Sequence, residues 1–318
     1  MPSSGTVTYS LNRNQIITAS LMAIGYLGDG EVASANDISA ASDILNMLVK
    51  NWSGSSDFAP GFKLWSRKRG NLLLDTTKNS YNLGPSGDRW TDVVTRTTLT
   101  ATAAAAAASL TVASISGIAN TNAIGIVLDN GTLFWTTVNG TPSGVTVTLT
   151  VGLTSQASKG ATVYAYASLT RRPLEILTAV LRDSSNQDTD LDVMTIQDYQ
   201  SLPAKADSTT TGDPQSFYYE SQLTNGVLYL DIYPNDLTKY VHCVYLSPIE
   251  DFNAATDTID MPQVWYLPLM YGLGIHASPT FRMPVSDQLN GLFTASLAIA
   301  KNADPEQSTI FFEPGRDY

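Results

Sequence analysis

Gly272-Leu273-Gly274-Ile275-His276-Ala277 spells a G-x-G-x-x-A fingerprint. Dinucleotide binding needs that pattern between a strand and a helix N-terminus, where free N–H groups face a pyrophosphate. Here it lies inside an apolar helical stretch, so it reads as small residues packing a helix. Asn186, Asp188, Asp190 and Asp192 alternate, and could gather oxygens around calcium. An EF-hand counted from Asp188 needs glycine and then glutamate where the chain has Val193 and Tyr199, so the alternation reads as a solvated acidic edge. Nothing spaces these carboxylates across a sugar cleft, as a glycosidase pair requires. His242 and Cys243 are neighbours, and a strand sends neighbours to opposite faces, which argues against a nucleophile–base pair. Arg67-Lys68-Arg69, beside Trp65, is the one three-residue basic run. It suits a solvated strand face, an acidic partner surface or a DNA backbone. Phe311 and Phe312, followed by Pro314, form an apolar pair in the tail of the kind that docks into a partner. No G-x-S-x-G elbow or Walker-type loop occurs, and residues 84–88 read as a turn. The pattern therefore predicts a protein that is not an enzyme, with no cofactor and no metal site.

Composition narrows the classes further. With 318 residues the chain has length for several domains, and 43% hydrophobic content is globular. A single cysteine excludes a disulfide framework and a cysteine-based zinc site, and two histidines leave little for a multi-histidine centre. The first fifteen residues lack the basic start and apolar core of a secretory signal. The longest apolar stretches, near 101–113 and 264–277, are shorter than the roughly twenty residues of a membrane span, so no membrane association is expected. The formal charge of −11 is uneven. Residues 1–96 hold nine basic and eight acidic side chains, a net of +1. Residues 97–169 hold only Asp129 and Lys159, and residues 170–318 hold eight basic and twenty acidic, a net of −12. An uncharged island rich in Ala, Thr, Gly and Val, with shifts at both edges, marks an inserted domain.

These residues need elements to position them. Residues 14–24 place Ile17, Leu21 and Ile24 at helical spacing, closed by Gly25 and Gly28-Asp29-Gly30. Ser34 with Asp37 forms a capping box, and Ile38, Ala41, Leu45, Leu48 and Trp52 make one apolar stripe. From residue 62 the period becomes that of strands. Residues 71–75 and 80–83 flank a turn as a hairpin, and 93–95 begins another strand. In the island, 145–151 alternates with Val and Leu on one face, 103–108 reads as a loop, and 162–166 closes the module. Further strands are predicted at 174–181, 191–195, 216–219, 227–232 and 239–246, with one helical turn at 196–202. Asp260 and Pro262 open a helix to about residue 277. A last helix over 285–301 carries Leu289, Leu292, Phe293, Ser296 and Ala300 on one side. The final residues have no period and read as an extended arm. The fold class is α+β. A helical bundle forms from an N-terminal hairpin (1–61) and C-terminal helices (251–303). A core antiparallel β domain (62–96 and 170–250) carries a second, inserted all-β domain (97–169), and an extended C-terminal arm (304–318) follows.

Ile17-Thr18-Ala19-Ser20-Leu21-Met22-Ala23-Ile24-Gly25, then Gly30-Glu31 and residues 34–52, resembles the opening of head-to-tail adaptor proteins of short-tailed bacteriophages (podoviruses), also called tail tubular or packaged-DNA stabilisation proteins. In that family a helix ending in Gly precedes an N-D-x-x-x-A-x-x-x-L-N-x-x-L helix. Here those positions hold Asn36, Asp37, Ala41, Leu45, Asn46 and Leu48 or Val49, then Trp52. The resemblance continues through Ser80-Tyr81-Asn82-Leu83-Gly84, Arg172-Pro173-Leu174-Glu175-Ile176, and Asp213-Pro214 to Tyr218-Tyr219. It also takes in 226–234, Asp260-Met261-Pro262 and the helices after it. It covers most of the chain, and the order of the motifs carries it. Relatives without the island would run from about Thr95 to Arg171. The island, with Asp129-Asn130-Gly131-Thr132 and Trp135-Thr136-Thr137-Val138, resembles small β domains of several phage structural proteins.

The resemblance implies a structural virion protein of the head–tail neck, assembled in the bacterial host cytoplasm. It implies a connector ring, commonly of twelve copies (a dodecamer), that binds the portal protein and joins it to the tail nozzle protein. Such a ring helps retain packaged DNA and forms part of the ejection channel, passing DNA without reading its sequence. Carried over, the helical part and the arm with Phe311, Phe312 and Pro314 contact the portal, while the β part faces the tail. The acidic C-terminal half, with Asp188, Asp190 and Asp192, would line the channel with negative potential. The competing class is a tail-associated receptor- or glycan-binding protein that uses the inserted β domain, which aromatics on exposed loops, such as Trp135, would favour.

Overall fold

Asn12 starts the first helix: its side chain accepts the Gln15 N–H at 2.9 Å while the Gln15 carboxamide accepts the Asn12 N–H at 2.9 Å. The computed structural model describes residues 5–6, 8–54, 65–203 and 205–303. Its helices are α1 (Arg13–Ala23), α2 (Ala35–Gly54), α3 (Ile196–Ser201), α4 (Tyr266–Phe281) and α5 (Asp287–Asn302). The protein is mixed α+β, mostly sheet with a few helices. It divides into two compact units, Met1–Ser66 with Pro248–Tyr318, and Arg67–Ser247.

In the first unit, α2 begins at Ser34, whose hydroxyl accepts the Asp37 N–H at 3.2 Å while the Asp37 carboxylate accepts the Ser34 N–H at 3.1 Å. Ala41, Leu45, Leu48 and Trp52 are buried and Ile38 is half-buried. They share one core with Ile16, Ile17 and Leu21 of α1, Leu269 and Leu273 of α4, and Leu289 and Ala300 of α5. A 3₁₀ turn, Gln263–Trp265, precedes α4. The helix then runs to Phe281, beyond the expected end near residue 277, and closes with Arg282 in the left-handed conformation at φ 55°. Pro268 falls in the first turn, where no N–H is needed. Ser286 caps α5 by accepting the Leu289 N–H at 3.1 Å, and Asp287 and Lys301 suit the two ends of its dipole. The expected stripe of α5 is corrected at Leu292, which is 44% exposed; the inward face is Leu289, Phe293, Leu297 and Ala300. No described helix is long and apolar enough to cross a membrane.

The second unit holds the strands. They are β1 (Arg67–Leu73), β2 (Ser80–Leu83), β3 (Trp90–Thr91), β4 (Thr95–Thr98), β5 (Ser109–Thr111), β6 (Ala123–Val127), β7 (Leu133–Thr137) and β8 (Thr146–Thr148). The rest are β9 (Thr162–Tyr166), β10 (Glu175–Arg182), β11 (Asp188–Val193), β12 (Thr211–Gly212), β13 (Ser216–Glu220), β14 (Gly226–Leu230), β15 (Tyr233–Pro234) and β16 (Tyr240–Leu246). The main sheet has eight strands in the order β2-β14-β13-β11-β10-β16-β1-β3. Its two edge strands are joined by residues 84–89, where the Asp88 N–H donates to Asn82 O at 2.7 Å, so the sheet curls until it is nearly closed. Leu72, Tyr81, Leu83, Trp90, Leu181, Phe217, Leu228, Val241, Cys243 and Tyr245 fill its inside. Gly70 is required there, because a Cβ would lie 2.2 Å from the Trp90 ring.

Two expectations for this sheet are corrected. β1 and β2 form no hairpin: β1 pairs with β16 and β3, and β2 pairs with β14. Asp75 accepts the Thr77 N–H at 2.9 Å, and the Tyr81 hydroxyl lies 3.0 Å from the carbonyls of Asp75 and Lys78. This turn carries the chain across to the far edge instead of back. The sheet is also not wholly antiparallel, since β11 and β13 run parallel. Parallel neighbours need a crossover, and residues 194–215, which include α3, supply it.

Residues 95–166 make a separate four-stranded sheet, β4-β9-β6-β7, and the pair β5-β8, around Leu99, Leu110, Val112, Ile124, Ile126, Val147, Leu149 and Val163. The expected strand over 145–151 shortens to β8: Val147 and Leu149 are buried, but Val145 and Val151 are exposed. Tyr164 and Tyr166 pack with Leu73 and Tyr240 of the main sheet, and the Tyr164 hydroxyl donates to Leu237 O at 3.0 Å.

Candidate functional site

The outer face of the main sheet gathers most of the chemistry-bearing residues. Registers align Asn71 of β1, His242 of β16, Val180 of β10 and Asp190 of β11 in one row. A parallel row runs Leu73, Tyr240, Arg182, Asp188. Side chains alternate across a strand, so Arg67 and Arg69 of β1 share this face, as does Asp192. Leu72, Val241, Leu181 and Leu191 point the other way, into the core.

Asp188, Asp190 and Asp192 therefore do form an outward ladder, but they are not equivalent. Arg182 grips Asp188 in a fork, with Nε–Oδ1 at 2.6 Å and Nη2–Oδ2 at 2.7 Å. That bond holds the Asp188 carboxyl below its usual range and pushes the Arg182 guanidinium higher. Asp188 is thus neutralised locally, which removes it from a negative wall, while Asp190 and Asp192 stay exposed. Asn186 does not join them. It sits in the β10–β11 turn at φ 62°, and its side-chain carbonyl accepts from Arg96 Nη2 at 2.8 Å. Arg96 also donates to Asp183 O at 2.6 Å and Ser184 O at 2.9 Å, and its guanidinium lies 5.7 Å from the Tyr240 ring centre. Among the described residues, no group of three His, Cys, Asp or Glu side chains is placed to hold a metal ion.

His242 and Cys243 point to opposite faces. Cys243 is fully buried, and burial pushes its thiol pKa up. His242 is half-buried with Nδ1 2.8 Å from Asn71 Oδ1. Burial, with Arg182 and Arg69 nearby outweighing Asp188, lowers its pKa. At the β1 edge, Arg67, Lys68 and Arg69 line an open groove of about 540 Å³ with Asp92 and Val244. Arg69 is exposed, and the Asp92 carboxylate accepts the Tyr245 hydroxyl at 2.7 Å.

The remaining candidates resolve elsewhere. The G-x-G-x-x-A stretch lies within α4, with His276 exposed on that helix. A Cβ at Gly272 would lie 3.0 Å from Phe293 and 3.3 Å from Trp52, and one at Gly274 would lie 3.1 Å from Ile24, so these glycines set helix spacing. The Ser20 hydroxyl of α1, 2.9 Å from Met270 O of α4, marks the same close approach. Trp135 is not on an exposed loop, as the glycan-binding alternative supposed. It is half-buried on β7, opposite Gly125, where a Cβ would meet its ring at 2.7 Å, and the Arg89 guanidinium lies 4.8 Å from the ring centre. Residues 84–88 do form a turn, tied by an ion pair from Lys78 to Asp88. Phe311, Phe312 and Pro314 lie outside the described residues.

Sequence reasoning missed the roles of Arg96, Arg182 and Asn71. Each is a lone polar residue whose partner lies on another strand or in a turn beyond it, so no local spacing announces it. No protein-family model matches the chain, and no curated protein matches it significantly.

Proposed function

We propose that this chain is the head-to-tail adaptor of a short-tailed bacteriophage, a ring of copies that joins the portal to the tail nozzle in the virion neck. The observation that carries this reading is the ordered series of motifs resembling that family, with its segments on α1, α2, β2, β10, β13, β14 and just ahead of the 3₁₀ turn that precedes α4. In this reading the four long helices are the portal-binding bundle, and the main sheet is the core β domain. Residues 97–169, from within β4 to just before β10, are an inserted module, and the arm with Phe311, Phe312 and Pro314 adds to the portal contact.

The acidic excess of residues 170–318 supports a conduit through which DNA passes without being gripped. Such repulsion acts over about 8 Å at physiological salt, so it matters only where DNA brushes the wall. Asp190 and Asp192, rather than Asp188, are the members of the ladder left with free charge. The receptor- or glycan-binding alternative loses support at Trp135, which is half-buried on a strand against Gly125 with the Arg89 guanidinium over its ring.

Purified chain mixed with its portal protein and imaged by electron microscopy tests the reading. A ring seated beneath the portal, weakened by deletion of residues 304–318, is the expected result. A chain that ignores the portal and binds host polysaccharide as a stable trimer would replace the adaptor with an adhesin.

A further inference from the structure

The outer face of the main sheet, away from the Leu73–Tyr240 end that Tyr164 and Tyr166 cover, carries opposite charges on its two sides. Arg67 and Arg69 lie on β1, and Asp190 and Asp192 lie on β11, with β16 and β10 between them. Three strand spacings separate the two sides, about 14 Å at roughly 4.8 Å each. At that distance, beyond the screening length of about 8 Å, the two sides hardly attract one another within a chain. Among the described residues, Arg69 on one side and Asp190 and Asp192 on the other take part in no ion pair. Arg182 and Asp188, by contrast, neutralise each other between them.

Shape follows charge. The basic side borders the open groove formed with Asp92 and Val244, about 540 Å³ in volume. The acidic side is a hairpin, β10–β11, whose turn is clamped by three hydrogen bonds from Arg96. The middle of the face presents Val180, Val244 and the neutral side of His242, all half-buried. The acidic strand and the basic groove of one molecule are complementary in charge to each other on different copies.

We infer that this face is a contact between copies of the chain, with the Arg67–Arg69 side of one copy seated against Asp190 and Asp192 of the next. Because the basic and acidic sides are different patches, the contact is head-to-tail, the kind that builds a ring where the rotation between copies closes. The inference rests on the ring reading above and assigns Asp190 and Asp192 to the seam between subunits rather than to the channel wall.

Cysteine trapping tests the contact directly. Arg69→Cys and Asp190→Cys are introduced together into the full chain, and mild oxidant is added to concentrated protein. Cys243 is fully buried and stays out of the reaction. The new thiols cannot bridge within a chain, since a disulfide needs Cα atoms closer than about 7 Å. A ladder of covalent multimers on a non-reducing gel is expected. Monomer alone, from a chain that native mass spectrometry shows as a ring, overturns the contact and leaves the ring reading standing. A stop at two copies overturns both the head-to-tail form and the ring, and a chain monomeric even with its portal removes both. Charge reversal provides the second arm. Arg69→Glu and Asp190→Lys with Asp192→Lys each raise the assembly midpoint roughly tenfold or more, and an equimolar mixture of the two variants recovers part of it. Variants that assemble like the parent sink the inference.

Discussion

Replacing Arg96 with alanine removes the clamp on the β10–β11 turn. The guanidinium makes three hydrogen bonds there, to Asp183 O, Ser184 O and Asn186 Oδ1, at 2.6, 2.9 and 2.8 Å. The first is part-buried and the other two are exposed. Hydrogen bonds from a charged donor are worth about 1.5–3 kcal/mol when sheltered, and the exposed pair falls below that range because water replaces the donor. Some 1 kcal/mol for each exposed bond, about 1.5 for the sheltered one and ~0.5 for the contact with Tyr240 gives a loss of about 4 kcal/mol. For a unit of this length that lowers the melting temperature by roughly 8–16 °C. Calorimetry of the purified variant reads the shift, and hydrogen exchange locates it. The N–H groups of Asp183, Asn186 and Gln187, bonded within the turn, should lose protection first. Arg96→Lys keeps the charge but not the fork, so it recovers about a third of the loss. An alanine variant that melts within about 1 °C of the parent, with unchanged exchange across 183–187, would refute the clamp.

Gly272→Val forces side-chain atoms against Phe293, Trp52 and Leu48; it should cost about 2 kcal/mol or more, read by urea unfolding of the helical unit. His242 has a pKa below its usual value, so the unfolded chain binds more protons than the folded one below about pH 6.5. The stability it contributes is therefore complete above that pH and is lost as pH falls through it; His242→Gln should flatten the difference in urea midpoint between about pH 7.5 and pH 5. Cys243, buried with its thiol pKa pushed up, should react with a thiol reagent only at the rate at which the sheet opens, and burst labelling of native protein would contradict its burial.

What the sequence determined is local. The α2 stripe from Ala41 to Trp52, the Ser34–Asp37 cap, the helical turn at 196–201 and the alternation that separates His242 from Cys243 all depend on residues within a few positions of one another. Spacing and capping decide these before any tertiary contact exists. The same holds for the α+β class and for the uncharged composition of residues 97–169. Only the tertiary structure decided which strands pair, because hydrogen-bond partners lie far apart in sequence and any alternating strand accepts several neighbours. A local turn beside Asp75 suggested a β1–β2 hairpin, whereas β2 bonds to β14. The ladder of Asp188, Asp190 and Asp192 looked uniform until Arg182 arrived from the adjacent strand to neutralise one member. Trp135 looked like an exposed binder until Gly125 and Arg89 packed against its half-buried ring. Charge and aromaticity are written in the chain, but whether they remain available is settled by what a distant strand places beside them.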